Sequence, residues 1–416
     1  MAGLERPARA AASGPRPETA RLIHLFSDTL TIVERRYVVP VDDKALVIAA
    51  IKGLAASLDP HSAYLSPEDL PGANGAAGVG LELSGERGVV RVVSVTDGSS
   101  AARADLRTGD FIQAIDGRTV LGAPLMAAIK SLQGPAGSTV TLTVKRPRQD
   151  AFDVKLTRQV PADVTATARM EGDYGYLRVS GLEMTTTDQA AAAIRRLQAR
   201  NPAMKGMVLD LRDNPGGLFD QAVELSSLFL NGGEVVSQRG RDPKAVLRYD
   251  ARAGGDMLHG LPLAVLIDGG TSSGAEIVAA ALQDRRRAVV VGAPSFGAGT
   301  VQTLIPLNNG ANGALKLTTA RVYTSSGRTF QGMGVVPDIL AAQSQADAKR
   351  GDDPAFQFSE ANQPSAIDPA RSHVRLAERP VYETPPAGFD PDGDFQLFRA
   401  IQALKPNSTA PAGKST

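Results

Sequence analysis

The stretch Leu263-Ala264-Val265-Leu266-Ile267-Asp268-Gly269-Gly270-Thr271-Ser272-Ser273-Gly274-Ala275-Glu276-Ile277 reads as an apolar buried strand, a turn of small residues, and the start of a helix. Small residues at such a junction let a hydroxyl stand near the free N–H groups of the first helical turn, the setting a nucleophilic serine needs. The plainer reading is a Ser or Thr that only caps the helix. A second stretch, Leu209-Asp210-Leu211-Arg212-Asp213-Asn214-Pro215-Gly216-Gly217-Leu218, also leaves a buried strand through a turn. Backbone N–H groups at Gly-Gly can approach a ligand closely, which suits an oxyanion hole. Its plainer reading is an ordinary turn, with Asp210 and Arg212 as an internal ion pair. The two stretches become informative together.

Outward from these, the chain after Phe152 alternates strands and helices. Strands are expected at 175–179, 206–211, 263–267 and 288–291, and helices near 188–200, 223–230 and 275–282. Such alternation predicts an α/β core. Before it, the spacing of Leu22, Ile23, Leu25, Phe26, Leu30 and Val33, then Leu46, Ile48, Ile51 and Leu54, predicts two helices joined near Pro40. Leu58-Asp59-Pro60-His61-Ser62-Ala63-Tyr64-Leu65 closes that region, its Asp-Pro favouring a turn.

Between Gly75 and Pro147 short β-rich runs (89–95, 111–115, 140–144) are separated by Gly and Asp turns. Gly78-Val79-Gly80-Leu81-Glu82-Leu83 and the long run from Ser99 to Gly117 resemble the two diagnostic stretches of a PDZ domain. That resemblance implies an extended peptide added to a sheet edge, its terminal carboxylate held by N–H groups of Gly78, Val79, Gly80 and Leu81.

A chain of 416 residues is too long for one core. With 43% apolar and 21% charged residues it falls in the ordinary globular class. A net charge of +1 gives no electrostatic footprint for nucleic acid or an anionic membrane, so a protein or peptide partner fits better. The absence of cysteine excludes disulfides, thiolate metal sites and a Cys nucleophile. No His-Glu-x-x-His metal spacing and no Gly-x-x-x-x-Gly-Lys-Ser/Thr nucleotide loop occurs, so no cofactor is expected. Met1 to Pro17 lacks the apolar core of a signal peptide.

The blocks Leu209–Phe219, Leu266–Gln283, Val289–Pro306 and Ala314–Ile339, with His24–Leu70 and the PDZ stretch, resemble the carboxyl-terminal processing (tail-specific) peptidases. The resemblance implies an α/β multidomain fold: a serine peptidase core of crotonase/Clp protease-like ββα units, a helical N-terminal region and an inserted β-rich PDZ domain. The expected division is a disordered 1–18, a helical 19–70, the PDZ domain over 71–147, the core over 148–342, and a loose 343–416 with a helix near 395–404. It also implies a periplasmic or cell-envelope setting, with a cytoplasmic one left open by the missing signal peptide.

By the same resemblance, the family's nucleophile falls on Ser273 and its oxyanion donors on Gly216 or Gly217 and on Gly274. Its general-base lysine falls within Phe296-Gly297-Ala298-Gly299, where the chain has Ala298. Gln302 matches the glutamine that orients that lysine. Arg146, with Lys145 as second choice, matches a basic residue that couples tail binding to the active site, and its plainer reading is a solvated turn charge. A serine–lysine dyad needs a neutral amine to take the serine proton, and a methyl group cannot do so. His24, His61, His259 and His373 lie outside the matched catalytic blocks, which argues against a Ser-His-Asp triad, and Lys316 reads as structural. The expected function is processing of proteins with apolar C-terminal tails, strongly impaired by Ala298, with an activating adaptor and self-association through terminal helices as further expected partners. The rival is a non-catalytic peptide-binding adaptor.

Overall fold

A computed structural model of the chain describes residues 16–70, 77–86, 89–96, 98–123, 125–146, 149–159, 164–342, 359–363, 365–367, 381–390 and 393–405. The helical spacing near the N-terminus gives α1 (Pro17–Arg36) and α2 (Asp43–Ala56). Pro17 opens α1, with Glu18 in its first turn and Arg35 and Arg36 in its last, matching the helix dipole at both ends. These helices form one unit, Met1–Ser57, and the remainder of the chain forms a second.

The second unit begins with a short strand, β1 (Ala63–Leu65). A β-rich domain follows: β2 (Leu81–Glu86), β3 (Val89–Val95), α3 (Ser100–Arg103), β4 (Phe111–Ile115), β5 (Arg118–Thr119), α4 (Leu125–Leu132), β6 (Thr139–Lys145) and β7 (Phe152–Thr157). Its sheet runs β2-β3-β4-β6-β7, with β5 beside β4. Apolar residues alternate inward along β6, and Val92, Ile112, Leu142 and Val144 form the centre of its core. The domain passes the boundary expected at 147: β7 pairs with β6 along its length, and Gln159 bridges Gly78. Pro147 interrupts the run, but the alternation resumes beyond it.

The core domain comprises β8 (Ala166–Glu171), β9 (Tyr174–Val179), α5 (Thr186–Arg200), β10 (Met207–Asp210), α6 (Phe219–Ser227), β11 (Gly233–Gly240), β12 (Val246–Ala251), β13 (Leu263–Ile267), α7 (Gly274–Asp284), β14 (Val289–Gly292), β15 (Thr300–Pro306), β16 (Ala314–Thr324), β17 (Ile339–Leu340) and α8 (Phe395–Ala403). One sheet runs β17-β14-β13-β10-β9-β8, parallel from β17 to β9 with β8 antiparallel at the edge. Its inner strands β10, β13 and β14 are buried on both faces, which explains their apolar runs. Leu209, Val265 and Ile267 face a core shared with α5, α6 and α7. Val208, Ala264, Leu266 and Val291 face the other way, onto Phe395, Leu397 and Ala400 of α8.

The apolar side of α8 is thus covered by the chain's own core, not held free for another subunit. Its N-cap Asp394 also takes Arg212 Nη2 at 2.7 Å, and Arg212 in turn pairs with Asp210. Asp210 and Arg212 therefore form the internal ion pair of the plainer reading. A second sheet, β1-β16-β11-β12 with β15 on β16, completes the domain.

Candidate active site

Three loops leave the C-terminal ends of the neighbouring parallel strands β10, β13 and β14, the edge at which open α/β sheets gather their sites. The first carries Gly216 and Gly217, the second Ser273, the third Ala298. All three are brought together.

Ser273 caps α7 at φ 51° and ψ −115°, a conformation that costs a non-glycine residue about 1–3 kcal/mol and persists only where its surroundings enforce it. The enforcement comes from Glu276, a fully buried carboxylate one turn along α7. Its Oε2 accepts from Ser273 N at 2.9 Å and from Ala298 N at 2.8 Å. Its Oε1 accepts from Gly297 N at 2.7 Å and from Ser295 Oγ at 2.5 Å. Burial pushes the Glu276 carboxyl up to about 7, against four donors that favour its charge. Residues around Ser273 and Ala298 are buried, while these two stay half-exposed. The serine is at once a helix cap and an accessible hydroxyl, so the two readings of its sequence are not exclusive.

The Gly-Gly turn rests directly on this loop. A Cβ on Gly216 would stand 2.6 Å from Gly274 N and 3.0 Å from Ser273 Cβ, so only glycine permits the approach. Asn214 ties the two loops, its carbonyl accepting from Ser272 N at 2.9 Å. Its Oδ1 takes the N–H of Gly216 at 2.8 Å. That engagement corrects one alternative from the sequence, because a donor already bound is not offered to a ligand. The N–H groups of Gly217 and Gly274 make no hydrogen bond to another described residue, and a Cβ on Gly274 would lie 3.6 Å from Gly217 N.

Ala298 puts a methyl group where the resemblance asks for an amine. Gln302, on β15, donates to Thr300 Oγ1 at 2.9 Å and Thr318 Oγ1 at 3.2 Å. Thr318 Oγ1 donates to the buried Asp59 at 3.0 Å, joining this strand to the segment around His61. His373 lies outside the described residues.

In the β-rich domain, β2 is an edge strand of the described sheet, as peptide addition requires. Of the loop ahead of it, Gly78 N is bonded to Gln159 O at 3.0 Å, whereas the N–H groups of Val79 and Gly80 make no hydrogen bond to another described residue. Leu81 enters the strand and pairs with Val95. Arg146 holds Asp110 through Nε at 2.7 Å and Nη2 at 2.8 Å, and Asp105 O at 2.7 Å. These partners all lie within its own domain. The link to the core is made elsewhere: Thr108 Oγ1 lies 2.6 Å from Asp213 Oδ1, at the mouth of the Gly-Gly loop. Asp213 N in turn donates to Asp268 Oδ1 at 2.9 Å, on the loop leading to Ser273.

Comparison with known proteins agrees with this arrangement. The model of peptidase family S41 matches residues 173–341, and that of the PDZ domain matches 91–146. A carboxy-terminal-processing protease of Bartonella bacilliformis is 41% identical over 398 residues, covering 93% of this chain and 89% of that protein. The chain belongs to the carboxy-terminal-processing proteases of peptidase family S41.

A probable CtpA-like serine protease of Staphylococcus aureus is 31% identical over 328 residues, which are 76% of this chain and 64% of that protein. Among solved structures, the photosystem II D1 C-terminal processing protease superposes with a TM-score of 0.65 at 27% identity, over 83% of this chain and 99% of its own. This S41 peptidase is therefore a serine-type, C-terminal processing protease by family, with the α/β core and PDZ domain its sequence implied. Sequence reading missed Glu276 as the joint between its loops. The signal was present, since Ser273 followed at the third position by Glu276 is the pattern of a reciprocal helix cap.

Proposed function

We propose that this S41 peptidase cleaves proteins through Ser273, with Gly217 and Gly274 N–H groups stabilising the oxyanion and residue 298 at the seat of the general base. The observation that carries the reading is the shared oxygen of Glu276, which holds the backbone of Ser273 and of Ala298 at one place. In the reaction the Ser273 hydroxyl attacks the scissile carbonyl carbon, and the negative oxygen that forms turns toward the two free N–H groups. The PDZ loop at Val79 and Gly80, with the edge of β2, takes the apolar C-terminal tail of the substrate.

Ala298 cannot accept the serine proton, so turnover falls well below that of a lysine-bearing chain. The test is incubation of the Ala298→Lys variant with a denatured protein ending in small apolar residues. Faster cleavage that disappears in an Ser273→Ala, Ala298→Lys double variant supports the reading.

Ala298 itself favours a second reading, a peptide-binding adaptor that holds tails without cutting them. In that case Ala298→Lys binds a tail peptide but leaves the denatured protein intact.

A further inference from the structure

We propose that Gln331 and Glu360 are positioning residues for the reaction, setting where the side chain at 298 meets Ser273; the inference rests on residue 298 being the seat of the base. The direction of that side chain is fixed by the two planar peptides that flank residue 298. Glu276 holds the first, through Ala298 N. Gln331 holds the second: its Oε1 accepts from Gly299 N at 2.8 Å, an N–H that also lies 3.0 Å from Gly297 O and so closes a three-residue turn about Ala298. The approach is close, since a Cβ on Gly299 would stand 2.7 Å from Gln331 N. Beside it, Gly332 N donates to Gly297 O at 2.8 Å.

Gln331 is itself held in place. It is fully buried, its N–H donates to Thr329 Oγ1 at 3.2 Å, and its Nε2 donates to Glu360 Oε1 at 3.1 Å. The last contact also settles which end of the amide faces Gly299. Glu360 lies beyond residue 341, where the family match ends, yet it grips both ends of the loop. Its own N–H donates to Phe296 O at 2.8 Å, and its carboxylate reaches Gly299 through Gln331. Its other oxygen, Oε2, lies 2.9 Å from His61 Nε2, and the side chain is 1% exposed. His61 belongs to a turn fastened to β16, where Asp59 Oδ1 accepts from His61 N at 2.9 Å and from Thr318 Oγ1 at 3.0 Å. A buried amide with a carboxylate behind it is a rigid reach from the rest of the core to one backbone N–H, and such a fully bonded network resists displacement as a unit. The plainer role, in which the two side chains only satisfy buried polar groups and leave the side chain at 298 unaffected, makes different predictions.

The chain has no cysteine, so Ser273→Cys and Ala298→Cys together introduce its only two thiols, and dibromobimane, which fluoresces once it bridges two thiols, reports how often they meet. Adding Gln331→Glu sets two carboxylates face to face in a buried site and removes the donor between them, so cross-linking should slow by about tenfold. In the Ala298→Lys chain the same change should lower kcat on a tailed, denatured protein by about 10- to 100-fold, and slow the labelling of Ser273 by a fluorophosphonate probe as much, with KM within about twofold. Gln331→Glu combined with Glu360→Gln replaces every hydrogen bond, since the carboxylate at 331 accepts from Gly299 N and from the new amide at 360, whose oxygen faces His61 Nε2. That double exchange should bring cross-linking and kcat back to within about threefold of the starting chain. Each variant is checked by thermal melting, and Gln331→Met, apolar and of similar length, takes the place of Gln331→Glu if that chain does not fold. Unchanged cross-linking, or an unchanged kcat, in the folded Gln331 variant would overturn the proposal, as would a loss that the folded double exchange fails to restore. No cleavage by Ala298→Lys, with cross-linking still dependent on Gln331, would remove residue 298 from its catalytic seat and the proposal with it, while confirming the hold on its loop.

Discussion

Ser273 and Ala298 donate their backbone N–H groups to the same atom, Glu276 Oε2, at 2.9 and 2.8 Å. The anchor uses main chain on both sides, so it does not depend on the side chain at 298. This is why the joint between the two loops holds with no more than a methyl group at position 298.

From that independence, Ala298→Lys should restore function without rebuilding the fold. Unfolding free energy should change by less than about 1 kcal/mol, since the position is half-exposed and its N–H is already fixed. Turnover on a tailed, denatured substrate should rise by at least about 100-fold, the usual worth of a positioned base. Its pH profile should climb with deprotonation of the new amine, whose pKa burial would bring down from about 10.4. An unchanged rate at every pH would contradict the placement of residue 298.

Glu276→Ala should be far more costly. It strips Ser273 N, Gly297 N, Ala298 N and Ser295 Oγ of their common acceptor inside the protein. Buried donors left without a partner cost about 1–3 kcal/mol each, though the loops will relax and recover part of it. A loss of about 3–5 kcal/mol in urea unfolding is expected, together with loss of Ser273 labelling even in the Ala298→Lys background. A stable, fully labelled Glu276→Ala protein would show that the capping geometry of Ser273 is held by something else.

The contrast between Thr108 and Arg146 yields a separate expectation. Arg146 pairs with Asp110, whose side chain is 2% exposed, so Arg146→Ala should destabilise the PDZ domain by about 3–5 kcal/mol by leaving a buried charge behind. Thr108 instead meets Asp213 of the core, and Thr108→Val removes one hydrogen bond to a charged group, about 1.5–3 kcal/mol. If tail binding acts on the site through this contact, Thr108→Val should bind a tail peptide within about twofold of the parent affinity while losing any stimulation of Ser273 labelling by that peptide. Stimulation that survives in Thr108→Val and vanishes in a folded Arg146 variant would reverse the assignment.

Much of the core was legible because parallel strands buried on both faces leave continuous apolar runs, as at Leu263–Ile267, and their loops must turn at glycine. The ribbon of β11, β12, β15 and β16 was not, since it is partly exposed and carries Arg239, Arg248, Lys316 and Arg321 among its apolar residues. Which glycine of 216 and 217 has a free N–H depended on Asn214, a residue whose role is visible only once the turn is folded. The pairing of His61 with Glu360 joins residues 299 positions apart, a separation at which no local pattern operates. Its segment reads as a plain turn in the sequence.

Stability should fall as the medium passes from mildly acidic to alkaline. Burial raises Glu276 to about 7 from an ordinary 4.5, and burial followed by the neighbouring Asp213 carboxylate raises Asp268 above its usual range. A carboxyl raised in the folded state binds a proton that the unfolded chain has released. Its stabilisation is complete below the unfolded pKa and is lost as pH rises through the folded one. His61, raised by Glu360 against its burial, has the same sign, its contribution being present below 6.5 and lost above its folded pKa. Asp210 runs the other way: burial raises it, but Arg212, Arg178 and Tyr176 together bring it to about 2, so its contribution is present above 3.8 and lost as pH falls through 2. The sum places the maximum between these windows, on the acid side of neutrality. Urea unfolding measured from about pH 4 to 8 should show stability declining through about 7, and Glu276→Gln, which does not titrate, should flatten that decline while lowering the whole curve. A parent curve that rises through neutrality would mean that the hydrogen bonds to Glu276 outweigh its burial, and that the joint between Ser273 and Ala298 is charged throughout.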